Sequence, residues 1–131
     1  MPEGGFASTA GLTLVATPIG NLGDISLRAI EILRSATLVA CEDTRHSQRL
    51  LAHHGLRVPL ISLNEHNEAR RIPELLQSMT AGGRVVLVSD AGMPTVSDPG
   101  QRLVQSVIAA GLPLTVIPGA AIANVGGSVT Y

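Results

Sequence analysis

Five short apolar runs constrain the fold of this 131-residue chain most strongly. They are LTLVA (12–16), TLVAC (37–41), PLISL (59–63), RVVLVS (84–89) and LPLTVI (112–117). Each run is almost continuously apolar and lacks the alternation expected of a strand with one exposed face. Such runs are typical of strands in a parallel sheet that is covered on both faces.

Four segments with helical spacing lie between these runs. Their predicted inward-facing residues are Leu27, Ile30 and Leu33; Leu50 and Leu51; Ile72, Leu75, Leu76 and Met79; and Leu103, Val104, Val107 and Ile108. Gly55 is typical of a left-handed helix end, and Pro73 predicts that the third helix begins near that residue or bends there. Five strands alternating with four helices predict a doubly wound α/β domain.

Four unusual segments each follow a predicted strand. They are TPIGNLGDIS, EDTRHS, NEHNEARR and DAGMPTVSDPG. The turns from helix to strand, by contrast, are short and contain Gly55, Gly82–Gly83 and Gly111. Because ligands of such sheets bind beyond the carboxyl ends of the strands, we expect the functional residues to gather at one edge of the domain.

The segment SDAGMPTVSDPG (89–100) is much longer than a turn requires. Asp90 ends a buried run, Ala91 and Gly92 allow a ligand to approach the backbone closely, and two prolines stiffen the rest. Long, rigid loops of this kind are usually functional. Its last residues, Asp98-Pro99-Gly100, are also expected to start the fourth helix.

Polar residues after the second and third strands offer further candidates. Either Asp43 or Thr44 can cap the next helix, and a spare carboxylate of the Glu42–Asp43 pair could bind a ribose hydroxyl, a cation or an ammonium group. His66 is interpreted either as a surface residue or as a ligand. His53 and His54 are adjacent and lack metal-ligand spacing, so no metal site is predicted.

Composition excludes several functions. The net charge is −1 and all nine basic residues are Arg, which argues against a strongly basic nucleic-acid clamp but allows a local Arg patch. The lack of Lys excludes a Walker loop and a Schiff-base Lys. Cys41 is the only cysteine, so an intramolecular disulfide is excluded. The segment TPIGNLGD lacks the dinucleotide-binding pattern. No apolar run approaches the twenty residues that a membrane-spanning helix needs. A cytoplasmic protein is expected.

Four segments carry a family resemblance, in family order: VATPIGNLGDISLRAIEIL, CEDTRHSQRLL, SLNEHNEARRIPELL and VSDAGMPTVSDPGQRLV. The chain resembles the tetrapyrrole methylase superfamily of S-adenosylmethionine-dependent methyltransferases over residues 12 to about 119. The resemblance implies a five-stranded parallel sheet in the order 3-2-4-1-5. It is strongest to the branch that methylates a cytidine ribose 2′-hydroxyl in small-subunit ribosomal RNA.

The resemblance also implies which residues bind the cofactor S-adenosylmethionine: Pro18, Asp90, Ala91, Gly92, Met93, Val96, Ala121 and Ile122. Two departures from the family pattern affect the site. The segment PGAAIANVGG lacks a hydroxyl at Ala121, and Asn64 replaces the first His of the family's HEHN segment.

Arg45 and His66 are expected to face the substrate. Methyl transfer to a hydroxyl needs a proton acceptor, for which His66, Glu65 and Asp43 are candidates, and the catalytic base stays unassigned. Two alternatives remain open: a tetrapyrrole methyltransferase acting on a precorrin or uroporphyrinogen, and a non-catalytic module that binds cofactor or dimerises. A homodimer without metal or membrane partners is expected.

The expected domain organisation has three parts. Residues 1–10 are predicted to form a flexible N-terminus, residues 11–119 the single α/β domain, and residues 120–131 a C-terminal tail. By resemblance, this tail starts a second domain that the family has and this chain lacks, and the chain alone is expected to be inactive.

Overall fold

The computed structural model describes residues 10–16, 25–89 and 98–117. Its strands are β1 (Gly11–Ala16), β2 (Leu38–Cys41), β3 (Leu60–Ser62), β4 (Arg84–Ser89) and β5 (Leu114–Ile117). Its helices are α1 (Leu27–Arg34), α2 (Thr44–His53), α3 (Glu68–Thr80) and α4 (Asp98–Ala109). Strands and helices alternate along the chain, as the sequence predicts.

The five strands form one parallel sheet in the order β3-β2-β4-β1-β5. The central pair, β1 and β4, is in register from Gly11 opposite Arg84 to Ala16 opposite Ser89. β5 pairs with the other side of β1, and β2 joins β4 to β3. This order confirms the fold implied by the resemblance.

Apolar side chains on both faces of the sheet build two separate cores. Leu12 and Leu14 of β1 pack in the core formed with α3 and α4. Val15 of β1 packs on the opposite face, with residues of α1 and α2 such as Ile32 and Leu50. A central strand of this three-layer fold therefore has no solvent-facing side, which explains the continuous apolar runs.

Two helical residues that were predicted to face inward are exposed. Leu27 is 81% exposed, because α1 buries a stripe through Ala29, Ile32 and Leu33 on its other side. Ile108 is 40% exposed, since it lies at the margin of the stripe by which α4 contacts the sheet. Both predictions were wrong because helical spacing alone does not fix which of two overlapping stripes faces the core.

Helix α3 begins before Pro73, at Glu68, so of the two predicted alternatives the start near the proline is wrong, and the bend at Pro73 stays a prediction. Backbone hydrogen bonds define the earlier start. The Glu68 N–H donates to the Asn64 carbonyl at 2.9 Å, and the Arg71 N–H donates to the Asn67 carbonyl at 2.8 Å. Pro73 is exposed and lies within the helix.

Glycines in left-handed conformations make the turns into the strands. Gly55, Gly82 and Gly111 have φ angles of 66°, 101° and 73°, which confirms the predicted short turns. Gly11 has a φ of 109°, and a Cβ there would lie 2.5 Å from the Pro113 carbonyl oxygen. Only glycine therefore allows β1 to start against the turn that precedes β5.

The described segments contain no helix that is both long enough and apolar enough to cross a membrane.

Candidate functional site

The strand order creates a switch point between β1 and β4. The chain leaves β1 through α1 and enters β2, on the β4 side, whereas it leaves β4 through α4 and enters β5, on the β1 side. The two connections also cover opposite faces, because α1 and α4 contribute to different cores. A crevice beyond the carboxyl ends of two such strands is where ligands of doubly wound sheets bind.

The predicted cofactor-binding residues follow the three strands at this switch point. They are Pro18 after β1, Asp90, Ala91, Gly92, Met93 and Val96 after β4, and Ala121 and Ile122 after β5, and all lie outside the described residues. The strands before them end side by side, with Ala16 opposite Ser89 and Val15 opposite Ile117. Their roles in cofactor binding stay predictions.

Asp43 caps the N-terminus of α2, as one of the two sequence alternatives predicted. Its Oδ1 accepts the backbone N–H of Arg45 at 3.0 Å. This hydrogen bond is the main reason why the pKa of Asp43 lies below its ordinary value, with a smaller contribution from the Arg45 charge. Glu42, which is exposed, is the spare carboxylate of the pair.

Arg45 extends from the first turn of α2 into solvent. Its side chain is 87% exposed, and its Nε lies 3.6 Å from Asp43 Oδ1. An exposed ion pair of this length constrains the guanidinium weakly. Arg45 therefore remains available for an external anion at the carboxyl edge of β2.

The turn between β3 and α3 is held by two reciprocal asparagines. Asn64 Oδ1 accepts the backbone N–H groups of His66 at 2.8 Å and Asn67 at 3.1 Å. In return, Asn67 Oδ1 accepts the Asn64 backbone N–H at 2.9 Å. Asn67 Nδ2 donates to the carbonyl and hydroxyl oxygens of Ser62, at 3.1 and 3.3 Å. We call Ser62, Asn64 and Asn67 the asparagine clamp.

The asparagine clamp presents Glu65 and His66 to solvent. Both residues are exposed at the tip of the turn, and within the described part of the chain His66 is positioned by the hydrogen bond of its backbone N–H. The family pattern identifies Asn64 only as a position where the first His is missing. Its structural role could have been found from the Asn-x-x-Asn spacing, since Asn side chains commonly bond to backbone groups two or three residues away.

An ion pair joins the start of α3 to α4. Glu68 Oε2 contacts Arg102 Nη1, while the Glu68 side chain is mostly buried and its Oε1 has no hydrogen-bond partner among the described residues. Arg102 belongs to the helix that follows the long segment after β4. The pair therefore connects the turn carrying His66 to the helix that leaves the switch point, and sequence reasoning missed it.

Arg45 and His66 follow neighbouring strands. β2 pairs with β3 up to Cys41 opposite Ser62, so both segments leave the sheet at the same edge. Their predicted position facing the substrate stays a prediction. Within residues 10–16, 25–89 and 98–117, no three His, Cys, Asp or Glu side chains are grouped as a metal ion would need.

The sheet order and its switch point define a doubly wound α/β domain, a class of fold in which ligands bind at the carboxyl edge. The same fold occurs in a crystal structure described as a cobalamin synthesis related protein (CobF) from Corynebacterium diphtheriae. The two align with a TM-score of 0.60 and 19% identity, over 82% of this chain and 51% of the other. The chain belongs to the tetrapyrrole (corrin/porphyrin) methylase family, whose model matches residues 11–130.

Curated relatives share about half of their aligned residues with the chain. It is 50% identical over 113 residues to the ribosomal RNA small subunit methyltransferase I of Xylella fastidiosa, covering 86% of this chain and 41% of the relative. The proteins of the same name from Synechocystis and Thermotoga maritima are 51% and 45% identical over 83% and 82% of this chain. The chain covers 39% and 49% of their lengths. It thus spans less than half of these relatives.

Proposed function

We propose that this chain forms the cofactor-binding half of an S-adenosylmethionine-dependent methyltransferase that acts on small-subunit ribosomal RNA. The observation that carries the proposal is the identity of about 50% to relatives named ribosomal RNA small subunit methyltransferase I. That identity extends over more than four fifths of the chain.

The switch point between β1 and β4 supports S-adenosylmethionine as the ligand of this edge. The residues that would hold it follow the three strands that end there: Pro18, Asp90, Ala91, Gly92, Met93, Val96, Ala121 and Ile122. The bound cofactor supplies an electrophilic methyl group on sulfur. The chain's own contribution is to bind and orient the cofactor, because alignment of donor and acceptor supplies much of the rate of such reactions.

Cofactor binding can be tested by calorimetric titration of S-adenosylhomocysteine into the protein. Asp90→Ala should weaken binding at least tenfold, whereas the matched Glu65→Ala change, on the turn after β3, should leave it unchanged. Equal affinity in the wild type and in Asp90→Ala would contradict the assignment of this segment to the cofactor.

For the substrate, we propose the ribose 2′-hydroxyl of a cytidine. Arg45 would contact RNA phosphates and His66 would lie beside the acceptor nucleotide, as their exposure and their positions after neighbouring strands support. Glu65, His66 and Asp43 are the candidate proton acceptors. The double variant Arg45→Ala/His66→Ala of the full-length enzyme should therefore bind RNA more weakly than the wild type.

The reaction can be tested with the full-length protein, labelled S-adenosylmethionine and undermethylated small-subunit ribosomal RNA. Transfer of label to one cytidine ribose is expected, and uroporphyrinogen or a precorrin should accept none. Label on the tetrapyrrole instead of the RNA would favour the other branch of the family. Unchanged RNA binding by the double variant, despite methylation by the wild type, would remove Arg45 and His66 from the substrate site.

Three further properties belong to the proposal: a cytoplasmic location, a homodimer, and little or no activity of residues 1–131 alone. The 39–41% share of two of the relatives' lengths supports the last property, because residues 1–131 match less than half of the protein that excludes water and aligns the acceptor in those relatives. Light scattering at several concentrations tests the homodimer. A strict monomer would contradict it and would also count against a dimerising module.

A further inference from the structure

The outward face of α2 carries hydrogen-bond donors at a constant interval. Arg45, Arg49 and His53 recur every four residues, and all three are exposed. Because an α-helix rises about 1.5 Å per residue, successive donors stand about 6 Å apart along one side of the helix. We call these three residues the α2 donor stripe.

The stripe has few acidic neighbours. Helix α2 contains no Asp or Glu. Among the described residues, the carboxylate that pairs with the stripe is that of Asp43, 3.6 Å from Arg45 Nε, and Arg49 forms no ion pair there. The positive charge of the stripe is therefore largely available to an external partner.

The stripe also opposes the local preferences of a helix. Arg45 lies in the first turn, where the helix dipole favours acidic residues, and this turn contains none. Arg45 and Arg49 place like charges at the i,i+4 spacing, which destabilises a helix. Neither side chain contributes to the core, so stability does not explain why this face is basic.

We propose that the α2 donor stripe binds successive phosphates of an RNA strand. The proposal rests on the proposed function, because it extends the path of the RNA beyond the methylated nucleotide. The stripe begins at Arg45, beside the carboxyl edge of β2, and follows α2 away from that edge. Donors at regular intervals suit a polymer with a regularly repeated negative charge, whereas a single acidic side chain would need only one of them.

The stripe can be tested by fluorescence anisotropy of an oligonucleotide from small-subunit ribosomal RNA, titrated with the full-length protein at 50 and 200 mM salt. Arg49→Gln should lower the affinity several-fold at 50 mM. Each lost phosphate contact removes about 0.7 to 0.9 from the slope of log affinity against log salt, so the deficit should shrink about threefold at 200 mM. His53→Gln should show a smaller deficit.

Arg34→Gln is the matched control, since Arg34 is exposed in the last turn of α1 and lies outside the stripe. It removes the same charge and should leave the affinity and the salt slope unchanged. An Arg49→Gln variant with the affinity and slope of Arg34→Gln would overturn the stripe.

Failure of the stripe and failure of the proposed function give different results. If the wild type binds and methylates RNA and the Arg49→Gln variant is unaffected, only the proposal that the α2 donor stripe binds phosphates is overturned. A wild type that neither binds nor methylates RNA overturns both. Tight binding of polyglutamate in place of RNA, weakened by Arg49→Gln, would overturn the RNA assignment in favour of an acidic protein partner.

Discussion

The asparagine clamp makes a sharp prediction, because its two asparagines use their amide groups differently. Among the described residues, Asn64 uses only its oxygen, which accepts two backbone N–H groups. Asn67 uses its oxygen as an acceptor and its nitrogen as a donor to Ser62. An Asn-to-Asp change keeps the shape and the accepting oxygen of the side chain but removes the donor. The same substitution should therefore be tolerated at Asn64 and costly at Asn67.

The expected magnitudes follow from the hydrogen bonds. In Asn64→Asp both accepted bonds remain, so the free energy of unfolding should change by less than about 0.5 kcal/mol. Asn67→Asp loses the hydrogen bond to the Ser62 carbonyl, which should lower the free energy of unfolding by about 1 kcal/mol. The new carboxylate oxygen then faces that carbonyl oxygen, and this repulsion should lower it by about 1 kcal/mol more. Both residues lie near the N-terminus of α3, so the effect of its dipole largely cancels between the variants.

Urea unfolding measures the difference. A loss of about 2 kcal/mol of unfolding free energy lowers the urea midpoint of Asn67→Asp by about 1 M. The midpoint of Asn64→Asp should lie near that of the wild type. Asn64→Ala, which loses both accepted bonds, should cost about 1 to 3 kcal/mol and shows that the position matters. Equal midpoints for the two Asp variants would refute the assignment of donor and acceptor in the clamp.

Three other predictions concern the fold. Gly11→Ala should lower the free energy of unfolding by more than about 2 kcal/mol, because the new Cβ meets a carbonyl oxygen. Gly55→Ala, which has open space around it, should lower it by about 1 kcal/mol, and thermal unfolding compares the two variants. Leu103→Ala should cost about 2 to 5 kcal/mol in urea unfolding and Ile108→Ala less than about 1, since only the first residue is fully buried. The lowered pKa of Asp43 implies stabilisation that is complete above the ordinary Asp value of 3.8 and is lost as pH falls through the lower folded value. Asp43→Asn should therefore reduce the loss of unfolding free energy as the pH falls into the acid range. The same loss in the variant and the wild type would contradict the cap.

The sequence predicted the sheet well because its central strands, β1 and β4, are buried on both sides. A central strand such as β4 must then be apolar at almost every position, which is a strong local signal. Helix α1 gave a weaker signal, since its apolar residues form two overlapping stripes. The choice between Leu27 and Ala29 as the buried position depends on the angle at which α1 packs on the sheet, and spacing alone does not contain that angle.

The sequence predicted the edge at which the candidate segments leave the sheet. The finer contacts of the candidate site were not predicted, because they join residues that are distant in sequence or depend on the direction of one side-chain bond. Glu68 and Arg102 contact each other across two helices. The bonds of Asn64 and Asn67 depend on the exact path of the turn between β3 and α3, which composition does not specify.

The central position of β1 has a consequence for synthesis on the ribosome. β1 is made before the other four described strands, yet in the described sheet it pairs with β4 and β5, which are made after β2 and β3. At about 5 to 20 residues per second, roughly 3 to 14 seconds separate the completion of Ala16 from the start of Arg84.

During that interval the nascent chain carries an apolar strand without a partner, while β2 and β3 can already pair with each other. A translational pause between β3 and β4 therefore lengthens the exposure of β1 and favours its capture by a chaperone. Premature termination before residue 84 leaves a product that cannot complete the centre of its sheet.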